Sequence, residues 1–344
     1  MEKLLTIVIA AYNKQHLLVR CLDSLIINTE LMQKVQILIV NDGSTDKTLN
    51  VARSYELKYP DYFQVIDKKN GNYGSVMNVA LPLAVGKYFK TLDADDWYDT
   101  ASYTKFVTML ADTDADMIVT ERHTFEEKKK TIKQTPLGNV IDGKDIPAQD
   151  AFSDLSLFNG CLNIQFFTYK TSILRESGLK WIEGVFYTDT MYDVWPLPFV
   201  RTVRFERLPV YVYVEGIDEQ SMSVENTRKN VNHFITISKE LIPYFIKHYD
   251  ETASYTKVMK SFLFQLLYFI YRNMWIDDKY NKSIIETHHL LDPLPDVQLQ
   301  LERMYTYHGI NCLKDIIDNN VKVSFRIVRR LRKISQKIKK LFRG

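Results

Sequence analysis

Cysteine is nearly missing from this chain. The three that occur in 344 residues, Cys21, Cys161 and Cys312, lie far apart, are odd in number and never fall at C-x-x-C spacing. A disulfide framework and a thiolate zinc site are therefore excluded, and a reducing, cytoplasmic compartment is expected. Long apolar runs are missing too. The richest late stretch, Phe262 to Ile270, is interrupted by Gln265 and falls short of the roughly 20 residues that a bilayer-crossing helix needs. The opening MEKLLTIVIAAYNK carries Glu2 in its basic region and no small-x-small site, so a first buried strand is expected there rather than a secretory leader. With only 12 glycines and 10 prolines, collagen-like and low-complexity compositions are ruled out. The seven histidines form no H-E-x-x-H, and neither a P-loop nor G-x-G-x-x-G occurs. What remains is ordinary globular composition, 46% hydrophobic and 25% charged, in a chain long enough to bury a sizeable core.

Acidic residues are absent from one place where it matters. Residues 321–344 hold ten Lys/Arg and no Asp or Glu, so the net +3 of the chain divides into +10 there and about −7 elsewhere. Within that tail Val321, Phe325, Val328, Leu331, Ile334, Ile338 and Leu341 recur at steps of three or four. A basic amphipathic helix lying on an anionic membrane surface is the expectation, with packing against protein or a second subunit, in a homo-oligomer, as the rival. No nucleic-acid motif accompanies the charge, so nucleic acid is not expected as a partner.

The first 120 residues alternate buried-strand and helix patterns. Strands are expected at Leu4–Ala11, Val35–Val40, Tyr62–Ile66, Lys87–Leu92 and Met117–Thr120. Helices are expected at about 15–28, 46–57, 75–84 and 101–111, the second capped by Ser44 or Thr45. Continuous β-branched runs between helices predict an α/β fold with a doubly wound, mostly parallel sheet, and ligands beyond the carboxyl ends of its strands. Residues 121–150, with the run KKKTIKQ, read as an exposed excursion or mobile loop. Val210–Val214 reads as strand, and about 226–320 as long helices. The expected division is 1–223, 224–320 and 321–344.

Three segments fall where strands end. Leu92-Asp93-Ala94-Asp95-Asp96-Trp97 puts Asp93 and Asp95 on one side of an extended chain. Two converging carboxylates repel unless a cation or hydrogen-bond donors neutralise them, and hard oxygen ligands suit Mg²⁺ or Mn²⁺. An acidic turn capping the next helix is the plainer alternative. Asn41-Asp42-Gly43-Ser44-Thr45-Asp46 offers a carboxylate to a base or ribose, or is a simple turn. Asn70-Gly71-Asn72-Tyr73-Gly74-Ser75, leading to Asn78, allows close backbone approach ahead of a helix.

In sequence order, AAYN, VNDGSTD, NGNYGSVMN and GKYFKTLDADDW together resemble the family-two glycosyltransferases, nucleotide-sugar enzymes of the GT-A fold. The nearest likeness is to bacterial enzymes that build capsular or other surface polysaccharides. The motifs cover about residues 4–120, and a looser resemblance continues to about 223.

The resemblance implies that Asp42 contacts the uracil of a UDP-sugar, and that Ala11, Tyr12 and Asn13 floor the nucleotide pocket. It implies donor contacts at Asn70, Gly74 and Asn78. Asp93 and Asp95 become the D-x-D pair, with Asp95 the main ligand of a divalent ion on the diphosphate. In Phe186-Tyr187-Thr188-Asp189-Thr190, Asp189 matches the catalytic base, with Asp193 as competitor. The chain departs from the family pattern at Ala11 for Pro, Met77 for Arg, Thr188 for Glu, and at Ile217 and Glu219 before Gln220-Ser221.

The implied function is inverting transfer from a UDP-sugar to a glycan or lipid-linked acceptor, by an enzyme peripheral to the inner membrane face. Trp97 is a candidate for sugar stacking or for the core, and His123 reads as a surface or packing residue. A sugar-phosphate nucleotidyltransferase is the first alternative, although Ala10–His16 lacks a Gly-rich, basic triphosphate loop. A silent membrane-associated assembly protein is the second.

Overall fold

Alternation of apolar runs and helical stretches is realised as expected in the computed structural model, which describes residues 2–216, 224–274 and 281–304 and the pairs 306–307 and 310–311. The chain forms two compact units, Met1–Gln220 and Ser221–Gly344. The first begins with β1 (Leu5–Ala11), α1 (Leu18–Asp23), α2 (Thr29–Met32), β2 (Val35–Asp42), α3 (Thr48–Lys58), β3 (Phe63–Lys68), α4 (Asn72–Leu83) and β4 (Tyr88–Asp93). It continues through β5 (Trp97–Tyr98), α5 (Thr100–Met109), β6 (Met117–Glu126), β7 (Thr131–Thr135), β8 (Asp145–Pro147), α6 (Ala148–Ser153), β9 (Phe167–Lys170), α7 (Thr171–Glu176), α8 (Asp189–Val194) and β10 (Thr202–Glu215).

The sheet runs β3-β2-β1-β4-β9-β6-β10-β5, with β7 added beside β6 and β8 beside β10. Strands β3, β2, β1 and β4 are mutually parallel, and β9 pairs antiparallel with both β4 and β6. One face of β1 and β2, Leu5, Ile7, Ile9, Val35, Ile37 and Ile39, packs with Leu18 and Leu22 of α1 and Phe106 and Val107 of α5. Helix α4 packs on β1 and β2 with Val76, Met77 and Ala80 buried. Burial on both faces is why these strands read as unbroken apolar runs rather than as alternation. The parallel order brings the ends of β1, β2 and β4 to one edge, where the three motifs lie.

Two expectations need correction here. The helix expected at 15–28 is broken: α1 stops at Asp23, and Asn28 starts α2 by accepting a hydrogen bond from the Leu31 N–H at 3.0 Å. Residues 121–150 are not a mobile loop. Strand β6 runs on to Glu126, turns through Lys128–Lys130 with Lys130 at φ +53°, and returns as β7. Its lysines are exposed on that hairpin while Phe125 packs edge-on against Trp97 at 5.3 Å. Charge there marks the solvent side of an edge hairpin, not an absence of structure.

Lys90, in the middle of β4, is completely buried, and its Nζ donates to the carbonyl oxygens of Gln165 at 3.1 Å and Phe167 at 3.2 Å. No carboxylate pairs with it among the described residues. Burial pushes its amine from 10.5 down to about 7. Below about pH 7 both folded and unfolded chains hold this proton; between about 7 and 10.5 only the unfolded chain does, so stability rises with pH across that window. Urea denaturation should find the wild type gaining about 2 kcal/mol over Lys90→Met between pH 7 and 9. Parallel curves for the two proteins would mean that Lys90 stays charged.

In the second unit α9 (Val224–Lys229) precedes α10 (Val231–Lys247), α11 (Tyr255–Met274), α12 (Asn281–His289), α13 (Pro295–Met304) and the short pair β11 (Thr306–Tyr307) and β12 (Ile310–Asn311). Phe262, Leu263, Leu266, Leu267, Ile270 and Tyr271 are buried, the packing role expected of this stretch, and Phe234 stacks on Phe269 at 5.2 Å. His288 is interior, with Nδ1 2.8 Å from the Tyr271 hydroxyl. Among the described residues no helix is long and apolar enough to cross a membrane. The basic tail 321–344, Cys312 and the Gln220–Ser223 segment lie outside the described residues.

Candidate active site

The end of β1 is tied to the end of β2. Ala11 is buried in the sheet, whereas Tyr12 is 47% exposed at the strand's tip. Asn13 takes φ +51°, which a short polar side chain tolerates. Its N–H donates to Ser44 Oγ at 3.0 Å, and its Oδ1 accepts from the Thr45 N–H at 2.8 Å. Ser44 and Thr45 are thus occupied with Asn13, and neither caps α3. Lys47 stands at the N-cap without a side-chain bond, and Asp46 just before it accepts from the N–H groups of Thr48 at 2.9 Å and Gln15 at 3.2 Å.

Asp42, at the tip of β2, is 4% exposed. Its Oδ1 accepts from Lys68 Nζ at 2.6 Å and from the Gly71 N–H at 3.0 Å, while Oδ2 has no partner among the described residues. A buried carboxylate with a lysine on one oxygen is fixed in place and still able to accept from outside through the other. Lys68 is its register partner on β3 and also donates to Ser75 Oγ at 2.7 Å. Asn70 uses its amide to hold the Asp42 carbonyl at 2.9 Å.

Gly74 and Asn78 serve chain-to-chain contact. A Cβ on Gly74 would lie 2.1 Å from the Ile182 carbonyl oxygen. Asn78 Oδ1 accepts from the Trp181 N–H, and its Nδ2 donates to the Trp181 carbonyl and Glu183 Oε1, all at 2.9 Å. The close approach that glycine permits here is therefore of the 181–184 segment to α4. Met77, in the position of the family's arginine, is fully buried.

At the end of β4 the three aspartates have different surroundings. Asp96 is interior: Tyr211 donates to its Oδ2 at 2.6 Å and the Val214 N–H to its Oδ1 at 2.7 Å, anchoring the turn to β10. The β6–β10 ladder shifts register around Pro209, which has no N–H to give, just before Tyr211. Asp93 is half-buried and takes a longer contact from Tyr211 at 3.3 Å. Burial, then the charges of Asp95 and Asp189, push its carboxyl up to about 7. Asp95 is partly exposed and pairs with Lys14 Nζ at 3.0 Å. Arg20 donates to the Asp95 carbonyl at 3.2 Å and lies over the Trp97 ring at 4.0 Å, so one face of Trp97 is already covered. His123 sits on β6 opposite Gln134 and Val212, on the hairpin.

Asp189 opens α8 and is half-buried; burial pushes its carboxyl up, against hydrogen bonds from local backbone N–H groups. Its charge reaches Asp93, and both raise the Tyr73 phenol after burial has done so. Asp93, Asp189 and Tyr73 therefore share one pocket of field. Asp193, one turn further, is 4% exposed with an unpartnered Oδ1. Tyr187, just ahead of the helix, is at φ +67°, a strained setting for a bulky residue.

The donor set at β4 fits a hard divalent ion. It is a pair of carboxylates, one of them, Asp93, pushed up by burial and then by the charges of Asp95 and Asp189. Among the described residues no three His, Cys, Asp or Glu side chains gather around one point. The protein would thus supply a two-carboxylate rim and leave the other positions to phosphate oxygens and water, as Mg²⁺ and Mn²⁺ sites commonly do.

Residues 6–180 match the family profile described as glycosyl transferase family 2, more than half of the chain. The chain belongs to that family. An uncharacterized glycosyltransferase of Mycoplasma genitalium is 37% identical over 130 residues, 37% of this chain and 42% of that relative. A poly(ribitol-phosphate) beta-glucosyltransferase of Bacillus spizizenii is 30% identical over 115 residues, 33% of this chain but 18% of its own length. These matches thus span less than half the length of either relative. In fold the chain resembles S. aureus TarS 1-349, solved in complex with UDP-GlcNAc, with TM-score 0.65 and 14% identity over 98% of this chain and 92% of that one. That is the GT-A architecture expected from the motifs.

Sequence reasoning missed four residues at this candidate site: Lys14, Lys68, Tyr73 and Tyr211. Lys68 was findable, since it ends β3 beside Asp42 in a parallel register. Tyr73 lies within Asn70–Ser75, where the two glycines carry the local signal and the tyrosine reads as ordinary core. Lys14 and Tyr211 are joined to the aspartates only by the fold.

Proposed function

We propose that this glycosyltransferase moves a sugar from a UDP-sugar, with inversion and a divalent-ion requirement, onto a glycan or lipid-linked acceptor. The reading rests on Asp42 and the Asp93–Asp95 segment lying at the ends of β2 and β4, the parallel strands on either side of β1, with the charge of Asp189 reaching Asp93. The UDP-GlcNAc held by TarS supports a UDP-sugar donor. The relative named for poly(ribitol-phosphate) supports a polymeric acceptor.

The free Oδ2 of Asp42 would accept from the base's N–H, with Lys68 fixing the carboxylate. Asp93 and Asp95 would hold a Mn²⁺ or Mg²⁺ ion, whose chemistry is to neutralise the diphosphate leaving group. Asp189 would take the proton of the acceptor hydroxyl as the new carbon–oxygen bond forms and the bond to the diphosphate breaks. A single displacement inverts the anomeric centre and needs no covalent enzyme intermediate. The basic stripe of 321–344 would set this chemistry on an anionic membrane face, where a lipid-linked acceptor lies.

Calorimetric titration of UDP with and without Mn²⁺, on wild type and Asp95→Asn, tests the donor assignment. Expected is binding at least about tenfold tighter with the ion, about 1.4 kcal/mol, and loss of that gain in the variant. Absence of UDP binding under every metal condition would sink the reading and leave a silent assembly protein in front. The same preparation lacking 321–344 should fail to sediment with anionic liposomes; unchanged sedimentation removes the membrane part.

A further inference from the structure

We propose that Lys14 is an exchangeable counter-ion of the carboxylate pair, holding Asp95 until the donor arrives, ceding it to the divalent ion, and then binding the donor's diphosphate. This rests on the donor-site reading above.

The backbone around Lys14 is fixed. Its own N–H donates to Thr48 Oγ1 at 2.8 Å, Asn13 before it is bonded to Ser44 and Thr45, and the Gln15 N–H after it donates to Asp46 at 3.2 Å. Only the four-carbon stem is left to move. Its Nζ makes one ion pair among the described residues, with Asp95 Oδ2, and the two side chains are 23% and 30% exposed. A pair that exposed is weak and readily exchanged.

A divalent ion binds carboxylate oxygen at about 2.0–2.1 Å, which brings a second positive charge onto the carboxylate that Lys14 Nζ already contacts. The two cations repel across it, and that repulsion favours the ammonium swinging away. The diphosphate carried by that ion then offers it new anionic oxygens nearby, and lysine binds phosphate well as a point charge. Two neighbouring cations are held elsewhere: Lys68 by Asp42 and Ser75, and Arg20 by the Asp95 carbonyl and the Trp97 face.

The ion alone thus has to break a pair, whereas ion and nucleotide together re-form one. Exchange makes their binding cooperative and gives Lys14→Met two effects of opposite sign. Mn²⁺ alone, followed by the electron paramagnetic resonance signal of the free aquo-ion on the full chain, should bind about fivefold tighter in Lys14→Met, the worth of an exposed ion pair. UDP in the presence of Mn²⁺, followed by calorimetry, should bind about tenfold weaker, the worth of a charged hydrogen bond. Lys14→Arg, which keeps a cation on a long stem, should restore UDP binding. A merely structural lysine would shift both affinities in one direction, and that result, or Lys14→Met matching wild type in either titration, overturns the exchange. Failure of the wild type itself to bind UDP with Mn²⁺ overturns the donor-site reading and the exchange with it, so the two failures are told apart.

Discussion

Asp189→Asn should lower kcat for sugar transfer by roughly 10²–10⁴, the usual worth of a general base, while UDP and Mn²⁺ bind as before. Asparagine matches the carboxylate in shape and cannot take a proton. The residue is well placed for the role. It is half-buried at the start of α8, its carboxyl is pushed up by that burial, and its charge is felt by Asp93. A base needs access and a proton affinity above that of a surface aspartate, and Asp189 has both. Asp193 has the second without the first: it is 4% exposed, and burial followed by Asp189 raises it well above the ordinary range. Asp193→Asn should therefore cost less than about tenfold in kcat, far below a general base's contribution. Single-turnover transfer, with nucleotide binding measured separately, checks both variants. If Asp193→Asn proved the more damaging and Asp189→Asn nearly silent, the base would be reassigned one helical turn along.

The order of elements was legible because it is written in local chemistry. Continuous apolar runs at Leu5–Ala11 and Val35–Val40 can only be strands buried on both faces, and the polar turns after them mark the ligand edge. Asp42, Asp93 and Asp95 were legible for the same reason, each lying at or just past a strand end, whereas Asp189 was legible only through the family resemblance of Phe186–Thr190. What could not be read is how these carboxylates are balanced. Asp93, Asp95 and Asp96 fall within four letters, yet Asp96 is a buried anchor on Tyr211 and Val214, Asp95 an ion-pair partner of Lys14, and Asp93 an acid whose carboxyl is raised by burial and by Asp95. Tyr211 lies 115 residues from Asp96 and Lys14 81 from Asp95, so no local pattern links them. The hairpin of β6 and β7 escaped for another reason. Its exposed edge is chosen for solubility, and lysine-rich edges look like loops until a strand partner is known.

Gly74 separates two meanings of a glycine in a motif. Read from the sequence, it makes room for a ligand; in the structure the room is taken by the protein itself. An alanine Cβ there would fall 2.1 Å from the Ile182 carbonyl oxygen, 3.0 Å from its carbon and 3.1 Å from Trp181 Cβ. The first two are backbone atoms, so no rotamer relieves the contact. Nor can the segment drift freely. Asn78 grips both polar groups of the Trp181 backbone, and the Gly184 N–H donates to the Gly71 carbonyl at 2.9 Å. Glycine to alanine inside a helix ordinarily gains about 1 kcal/mol. Here the sign should reverse, with Gly74→Ala destabilising by about 2–4 kcal/mol in urea denaturation. The displaced segment leads directly to Tyr187 and Asp189, so kcat should fall more steeply than UDP affinity. Were Gly74 needed only for close approach of a phosphate, the variant would keep its stability and lose UDP binding instead. Measuring both on one preparation decides whether this glycine belongs to the ligand or to the wall that positions the base.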